Sequence, residues 1–267
     1  MAGKAVATKK EAQVAAFDPS IFEEDAGAGN ENITQDDLAL PFLKILSGLD
    51  PLLDELEDAR KGDIYNTVTG DLFKGSDGIR VIPCAYQRRF IEWAPRGTGS
   101  GAPVNIFTPD EPRPQTERSK DDNREYVVGG DGTYIEDTHQ HFVLVLDEDG
   151  TAQPALIAMK STQLKKSRKW NSMVQGRMAT GANGRPFQMP RFSHVYTLKS
   201  IKEENSKGAW HGWDIALEGQ VSDITLYGQA KEFANSVNAG DVNVKHSRDD
   251  GNQDDGNAPQ QGNDIPF

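Results

Sequence analysis

The stretch IRVIPCAYQRRFIEW, residues 79–93, constrains the fold most. Its β-branched and aromatic side chains favour a pleated strand. Pro83 has no N–H to give a ladder, so it should mark a bulge or an edge. Successive side chains of a strand point to opposite faces, which puts Tyr86, Arg88 and Phe90 on one side and Arg89, Ile91 and Trp93 on the other. One face therefore mixes aromatic rings with cations.

Strand and helix signals continue on both sides of it. DLALPFLKIL (37–46) is the first apolar cluster, and Pro41 limits any helix through it, so an extended or one-turn segment against the core is expected. DPLLDELEDARKGD suggests a short helix stopped near Gly62, and DIYNTVTGDLF (63–73) a strand or hairpin turning at Gly70 and Asp71. Residues 94 to about 138 are full of Gly, Pro and charge and read as a long loop, functional or disordered. HFVLVLD (141–147) and PALIAMK (154–160) flank EDG, a hairpin signal. A helix from Ser161 to Met178, capped by Ser161 or Thr162, should follow. RFSHVYTLKSI and WHGWDIALEGQ are two more strands across the polar turn KEENSKGA. Ser222 or Asp223 then caps a last helix, DITLYGQAKEFANSV, with Ile224, Tyr227, Ala230 or Lys231, and Ala234 on one side.

Strands, a hairpin, a helix, a strand pair and a C-terminal helix predict a mainly β, α+β fold. The closest architecture is an OB-fold-like Greek-key barrel with a helix before its last strand pair. An apolar fraction of 36% and a mean hydropathy of −0.64 leave part of the chain outside any core. That part is expected at both ends: residues 1–32 as a flexible segment and residues 240–267 as a disordered acidic tail, around a core of residues 33–239. A single cysteine, Cys84, excludes an intrachain disulfide and any multi-cysteine zinc site and suits a reducing compartment. There is no apolar leader and no run of about 18 apolar residues, so a soluble cytoplasmic protein without a membrane partner is expected.

The net charge of −12 argues against a nucleic-acid partner only until its distribution is read. From Lys160 to Lys207 the cations are Lys160, Lys165, Lys166, Arg168, Lys169, Arg177, Arg185, Arg191, Lys199, Lys202 and Lys207, against only Glu203 and Glu204. From Asp249 onward there are five Asp and no Lys or Arg. The body is basic and the tail acidic.

Nothing points to catalysis. No phosphate-binding loop, nucleophile elbow, zinc-protease motif or cysteine pair occurs. GTGSG (97–101) has no strand before it or helix after it and reads as a flexible loop. His139 and His141 share a strand face, but no third ligand stands near in sequence, so they read as two surface histidines. No catalytic residue, cofactor or metal is expected.

The basic segment is more informative. Lys165, Arg168 and Lys169 form one helical stripe, with Leu164, Val174 and Met178 available to the core. Trp170, Arg177, Arg185, Phe187, Arg191, Phe192, His194, Tyr196 and Lys199 follow closely. Single strands are held by a positive groove along their phosphates and by aromatic faces under their bases. Tyr86, Arg88, Phe90, Lys165, Arg168, Lys169, Trp170, Arg177, Arg185, Arg191, Tyr196 and Lys199 are the candidate DNA contacts, and Phe187 is a further stacking candidate. Trp213, Phe142 and Tyr227 are expected in the core.

The chain ends QQGNDIPF. A polar tail finishing on Ile265, Pro266 and Phe267 suits a bait: the apolar pair fills a pocket on another protein while Asp264 and the terminal carboxylate meet basic residues at its rim. Asp264, Ile265, Pro266 and Phe267 match, residue for residue, the tip that this ending resembles, that of bacterial single-stranded DNA-binding proteins. GDIYNTVTGDLF followed by IRVIPCAYQRRFIEW is similar instead to a group of tailed-bacteriophage single-stranded DNA-binding proteins, over about residues 37–235. The resemblance implies a phage replication, recombination or repair protein in the host cytoplasm. It would bind single-stranded DNA and recruit partner proteins through Asp264 to Phe267, with homo-oligomerisation left open. A strand-annealing recombination protein, a structural or scaffolding virion protein and an unrecognised nuclease are the alternatives.

Overall fold

The computed structural model describes residues 19–34, 37–95, 97–147, 150–206 and 208–247; the tip residues Asp264, Ile265, Pro266 and Phe267 lie outside these. Backbone proximity divides the chain into two units, residues 1–38 and 39–267. In the first, helix α1 (Pro19–Glu24) runs into turns, and Thr34 donates from its N–H and its hydroxyl to Asp37 Oδ2 at 2.9 and 2.8 Å.

The second unit begins with a small antiparallel sheet. Its order is β1 (Leu43–Ile45), β2 (Ile64–Asn66) and β3 (Leu72–Phe73), the last two joined as the expected hairpin. Between β1 and β2, α2 (Leu52–Glu55) is a single turn, shorter than its sequence suggests. It buries no residue, and so short a helix has no packing to offset the cost of nucleation.

The main sheet is antiparallel and curls into a half-barrel. Its strands are β4 (Ile79–Trp93), β5 (Asn105–Phe107), β6 (Thr116–Arg118), β7 (Glu125–Val127), β8 (Tyr134–Leu146) and β9 (Ala152–Lys160), followed after α3 (Leu164–Gln175) and the separate hairpin β10 (Met178–Thr180) and β11 (Pro186–Gln188) by β12 (His194–Asn205) and β13 (Gly208–Gln220). α4 (Ile224–Ala239) closes the unit. β12 returns to lie beside β4, so the order β12-β4-β8-β9 is a Greek key, with β13 outside β12. The fold is thus mainly β with few helices, as expected.

Pro83 does what its missing N–H requires. The β4–β8 register passes from Pro83↔Val143 to Ala85↔Phe142, leaving Cys84 as the extra residue of a bulge, which bends the strand and raises its twist. Both faces of the bent sheet are covered, so Val81 through Ala85 are all buried. On the inner face Val81, Val143, Ile157, Trp170, Tyr196 and Trp213 gather with β1 and β2. On the outer face Ile82, Phe142 and Leu144 meet Phe233, Ala234 and Val237 of α4.

α3 lies across the open side of the curl, packed against β8, β9 and β13. The Gln163 side chain accepts from the Trp213 N–H at 3.0 Å, which ties the entry to α3 to the β13 backbone. The far edge of β9 is met by the chain before β1: Leu156 N donates to Pro41 O at 2.8 Å.

Several expectations need correction. Residues 94–133 carry three short strands, and β8 starts at Tyr134 rather than His141; segments of three residues are too short to show an alternation. Neither Ser161 nor Thr162 caps α3: Ser161 sits at φ 47 in a 3-10 turn, and the helix ends at Gln175, with Met178 exposed in β10. β12 and β13 extend through KEEN and GA to the pair Asn205↔Gly208. Asp223 does cap α4, accepting from Thr225 N and Leu226 N at 2.7 and 3.1 Å, but the buried stripe is Ala230, Phe233, Ala234 and Val237, with Ile224 exposed and Tyr227 half-buried. Beyond α4, Val242 and Val244 pack on the outer cluster and His246 meets Gln140 at 2.6 Å, so the body continues past residue 239.

The small sheet is locked to β12 at one glycine. Gly75 O accepts from Ser200 N at 2.9 Å, and a Cβ at Gly75 would run into the Gly62 carbonyl and stand 2.8 Å from Ser200 Cβ. Gly75→Ala forces two backbones apart and should cost about 1–3 kcal/mol or more, lowering Tm by several degrees. A thermal melt unchanged from wild type would show that this junction is slack.

Candidate nucleic-acid interface

Tyr86, Arg88 and Phe90 share one face of β4, and the β4–β8 register sets His141, His139 and Asp137 opposite them in turn. α3 brings Ser167, Trp170 and Asn171 to the same place, and the turn before β12 brings Arg191. Four elements thus converge, and these residues are close in sequence only along β4, β8 or α3.

A hydrogen-bond chain joins them with its direction fixed by chemistry. Arg191 can only donate, so its Nη2 gives to Asn171 Oδ1 at 2.9 Å and to His141 Nδ1 at 3.0 Å. His141 must then carry its proton on Nε2, which donates to Ser167 Oγ at 2.7 Å. Ser167 passes its own proton to His139 Nδ1, also at 2.7 Å. His139 is left with Nε2–H, 3.8 Å from Asp137 Oδ1. Asp137 in turn accepts two bonds from Arg88, Nε at 2.8 Å and Nη2 at 2.7 Å. The hydrogen bonds therefore run from Arg191 to His139, and the Arg88–Asp137 ion pair stands beyond that end without a hydrogen bond to it. Rings brace it: His141 stacks on Trp170 at 4.5 Å, and Tyr86 packs against both histidines and under Arg191.

Burial governs the charges here. Arg191 has no carboxylate within ion-pairing distance among the described residues, and burial pulls its pKa down to about 10. His141 is held well below 6.5 by burial first, then by Arg191 and His139. His139 is lowered by burial, opposed by Asp137 and assisted by Arg88 and Arg168. Asp137, His139 and Ser167 stand in the order of a nucleophile relay, yet Ser167 is fully buried and offers no reachable hydroxyl. Among the described residues no three His, Cys, Asp or Glu side chains are placed to hold a metal ion.

The anticipated contacts divide into two sets. Lys165, Arg168 and Lys169 are exposed along α3, while the intervening Lys166 pairs with Glu203 at 2.7 Å. Arg185 is exposed at the β10–β11 turn, and Arg177 is half-buried with Nε on Met173 O at 3.1 Å. Tyr86, Arg88 and Phe90 are half-buried on the β4 face. Trp170 and Tyr196, expected under bases, are each 0% exposed and belong to the inner core, with no face open to a base. Lys199 is exposed on β12 opposite Asp214, beside Gly78, and joins no part of the cluster. His139 and His141 are core residues, not surface ones.

Sequence reasoning missed Arg113, whose guanidinium lies 3.5 Å from the Phe90 ring centre, with Arg88 at 4.7 Å from the same ring. It also missed Asp137, Ser167 and Asn171. Only the strand register and the helix docking bring these together.

All five histidines have pKa values held below 6.5, chiefly by burial, His246 down to about 4. An imidazole whose folded pKa is lowered takes up fewer protons than its unfolded counterpart. Its contribution is intact above 6.5 and is lost as pH falls from there through the folded values. The urea midpoint should therefore decline steadily between pH 7 and pH 5. A flat midpoint over that interval would contradict the buried, neutral histidines.

The protein-family model of the Pam3 phage gp34-like protein matches residues 9–243. No curated protein and no solved structure matches the chain. With most of its length inside that match, the chain belongs to the Pam3 phage gp34-like family, a bacteriophage protein family.

Proposed function

We propose that this protein is a sequence-tolerant, non-enzymatic single-stranded DNA-binding protein of the phage-infected host cytoplasm. It protects single strands and recruits replication, recombination or repair proteins through Asp264, Ile265, Pro266 and Phe267. One observation carries the reading. In a chain of net charge −12, residues 150–202 contain no Asp or Glu and ten Lys or Arg. That acid-free stretch includes α3, the β10–β11 hairpin and the Arg191 turn; Lys165, Arg168, Lys169 and Arg185 are exposed on it, and Arg191 lies over Tyr86 of the β4 face. Phosphates need such a local field, whatever the total charge.

The finer architecture fits the same use. β4, β8 and β9, then α3, then the β12–β13 pair follow the order of a partly open OB-type barrel, whose strand face and loops take oligonucleotides. Phe90 with Arg88 and Arg113 beside it supplies an aromatic–cation surface at one end of that path.

The test is a salt titration of binding to single- and double-stranded oligomers. Single strands should bind more tightly, with log affinity falling linearly with log salt. Replacing Lys165, Arg168 and Lys169 together by Ala should weaken binding at every sequence alike and flatten the slope by about 0.7 per lost contact. No binding at low salt, or an unchanged slope in the triple variant, would refute the assignment.

A further inference from the structure

The β10–β11 hairpin is a two-stranded sheet of its own, and no strand of the main sheet pairs with it. Its turn is closed by Gly181 N on Arg185 O at 2.9 Å, and its base by Met189 N on Arg177 O at 2.9 Å. Arg177 anchors that base to the end of α3 through Met173 O. The ribbon is well tied down yet exposes its apolar side chains: Met178 is 56% and Phe187 46% exposed. An isolated two-stranded ribbon gains nothing from this, because apolar groups in water do not stabilise it.

The cross-strand register sorts the ribbon into two faces. Phe187 stands opposite Ala179 on one, and Met178 opposite Gln188 on the other. The small Ala179 leaves the Phe187 ring uncovered. Arg185 is exposed two residues away, and no acid occurs anywhere in residues 150–202. With Trp170 and Tyr196 in the core and Phe192 tucked against Tyr227, Phe187 is the one exposed Phe, Tyr or Trp of the acid-free stretch among the described residues.

We propose that the β10–β11 ribbon is a base-stacking arm, in which Phe187 takes an unpaired base on its open face while Arg185 and Arg177 hold the flanking phosphates. The proposal rests on the single-strand-binding reading above. It assigns the stacking that Trp170 and Tyr196 cannot provide. A ring reaches the face of a base only where the base is unstacked, so the arm favours single strands over duplexes. The acid-free sequence on both sides of the ring suits a polyanion rather than an apolar protein groove.

Three variants of the full chain test this with oligothymidine. Phe187→Ala should lower affinity about five- to hundredfold, the loss of one stacked base, while the protein stays folded, since Phe187 is exposed on the hairpin and lies outside the core. Phe187→Leu, which keeps apolar bulk without a π-face, should bind as weakly as the Ala variant. Phe187→Trp should bind like wild type, its added emission quenched by the oligomer. Wild-type affinity in the Ala or Leu variant, or an unquenched Trp at 187 in a protein that binds DNA, would overturn the arm while leaving the DNA-binding reading intact. Emission of the Trp variant that shifts on dilution without DNA would assign the ribbon to a contact between copies and overturn it equally. Failure of wild-type protein to bind the oligomer at low salt would remove both.

Discussion

Arg191 is a largely buried cation with no carboxylate beside it among the described residues, and much of the molecule is arranged around that fact. Leaving such a charge without partners would be strongly destabilising. Its Nη2 bonds to Asn171 of α3 and His141 of β8 and its charge faces the ring of Tyr86, while its buried Nε makes no hydrogen bond. Because Arg191 never accepts, each later proton in the His141–Ser167–His139 chain has one possible position. The network therefore binds β4, β8, α3 and the turn before β12 in a single register, something an apolar core of similar size does not specify.

That register decides what α3 shows to solvent. Ser167, Trp170 and Val174 point inward at helical spacing, so Lys165, Arg168 and Lys169 must point outward. The same docking sends the chain out of α3 through Gly176 into the exposed ribbon and back at Arg191. The basic stripe, the ribbon and the β4 face are consequences of one helix crossing the open side of one bent sheet. The bend itself comes from the bulge at Cys84, whose buried thiol is pushed up to about 12 and is inert at neutral pH.

Much of this was legible in the sequence where local chemistry is decisive. Pro83 had to interrupt a ladder, the run at 79–93 had to be a strand, and Asp223 was well placed to accept from the free N–H groups of α4. Period 2 placed Tyr86, Arg88 and Phe90 together, and the uneven charge marked the basic segment. The burial of Trp170 and Tyr196 was not legible, because an aromatic beside cations has the same pattern whether its ring fills a core or awaits a base. His139 and His141 read as surface groups since their partners, Ser167 and Arg191, are 26 and 50 residues from His141. The α4 stripe was displaced because apolar residues surround that helix, and period fixes spacing without choosing a side. Of the three-residue strands of 94–133, β7 packs Tyr126 on a cluster of Ile91, Trp93 and Tyr134 that forms only once β4 and β8 are paired, while β5 pairs with β4 and β6 with β7.

Hydrogen exchange with and without single-stranded oligothymidine tests the central claim most directly, since it maps the whole chain at once. Protection should appear in α3, in residues 177–191 and in β4 from Tyr86 to Phe90, and it should vanish at high salt. Protection confined to α4 and the outer face of the sheet, or no protection under conditions where DNA is bound, would contradict the account.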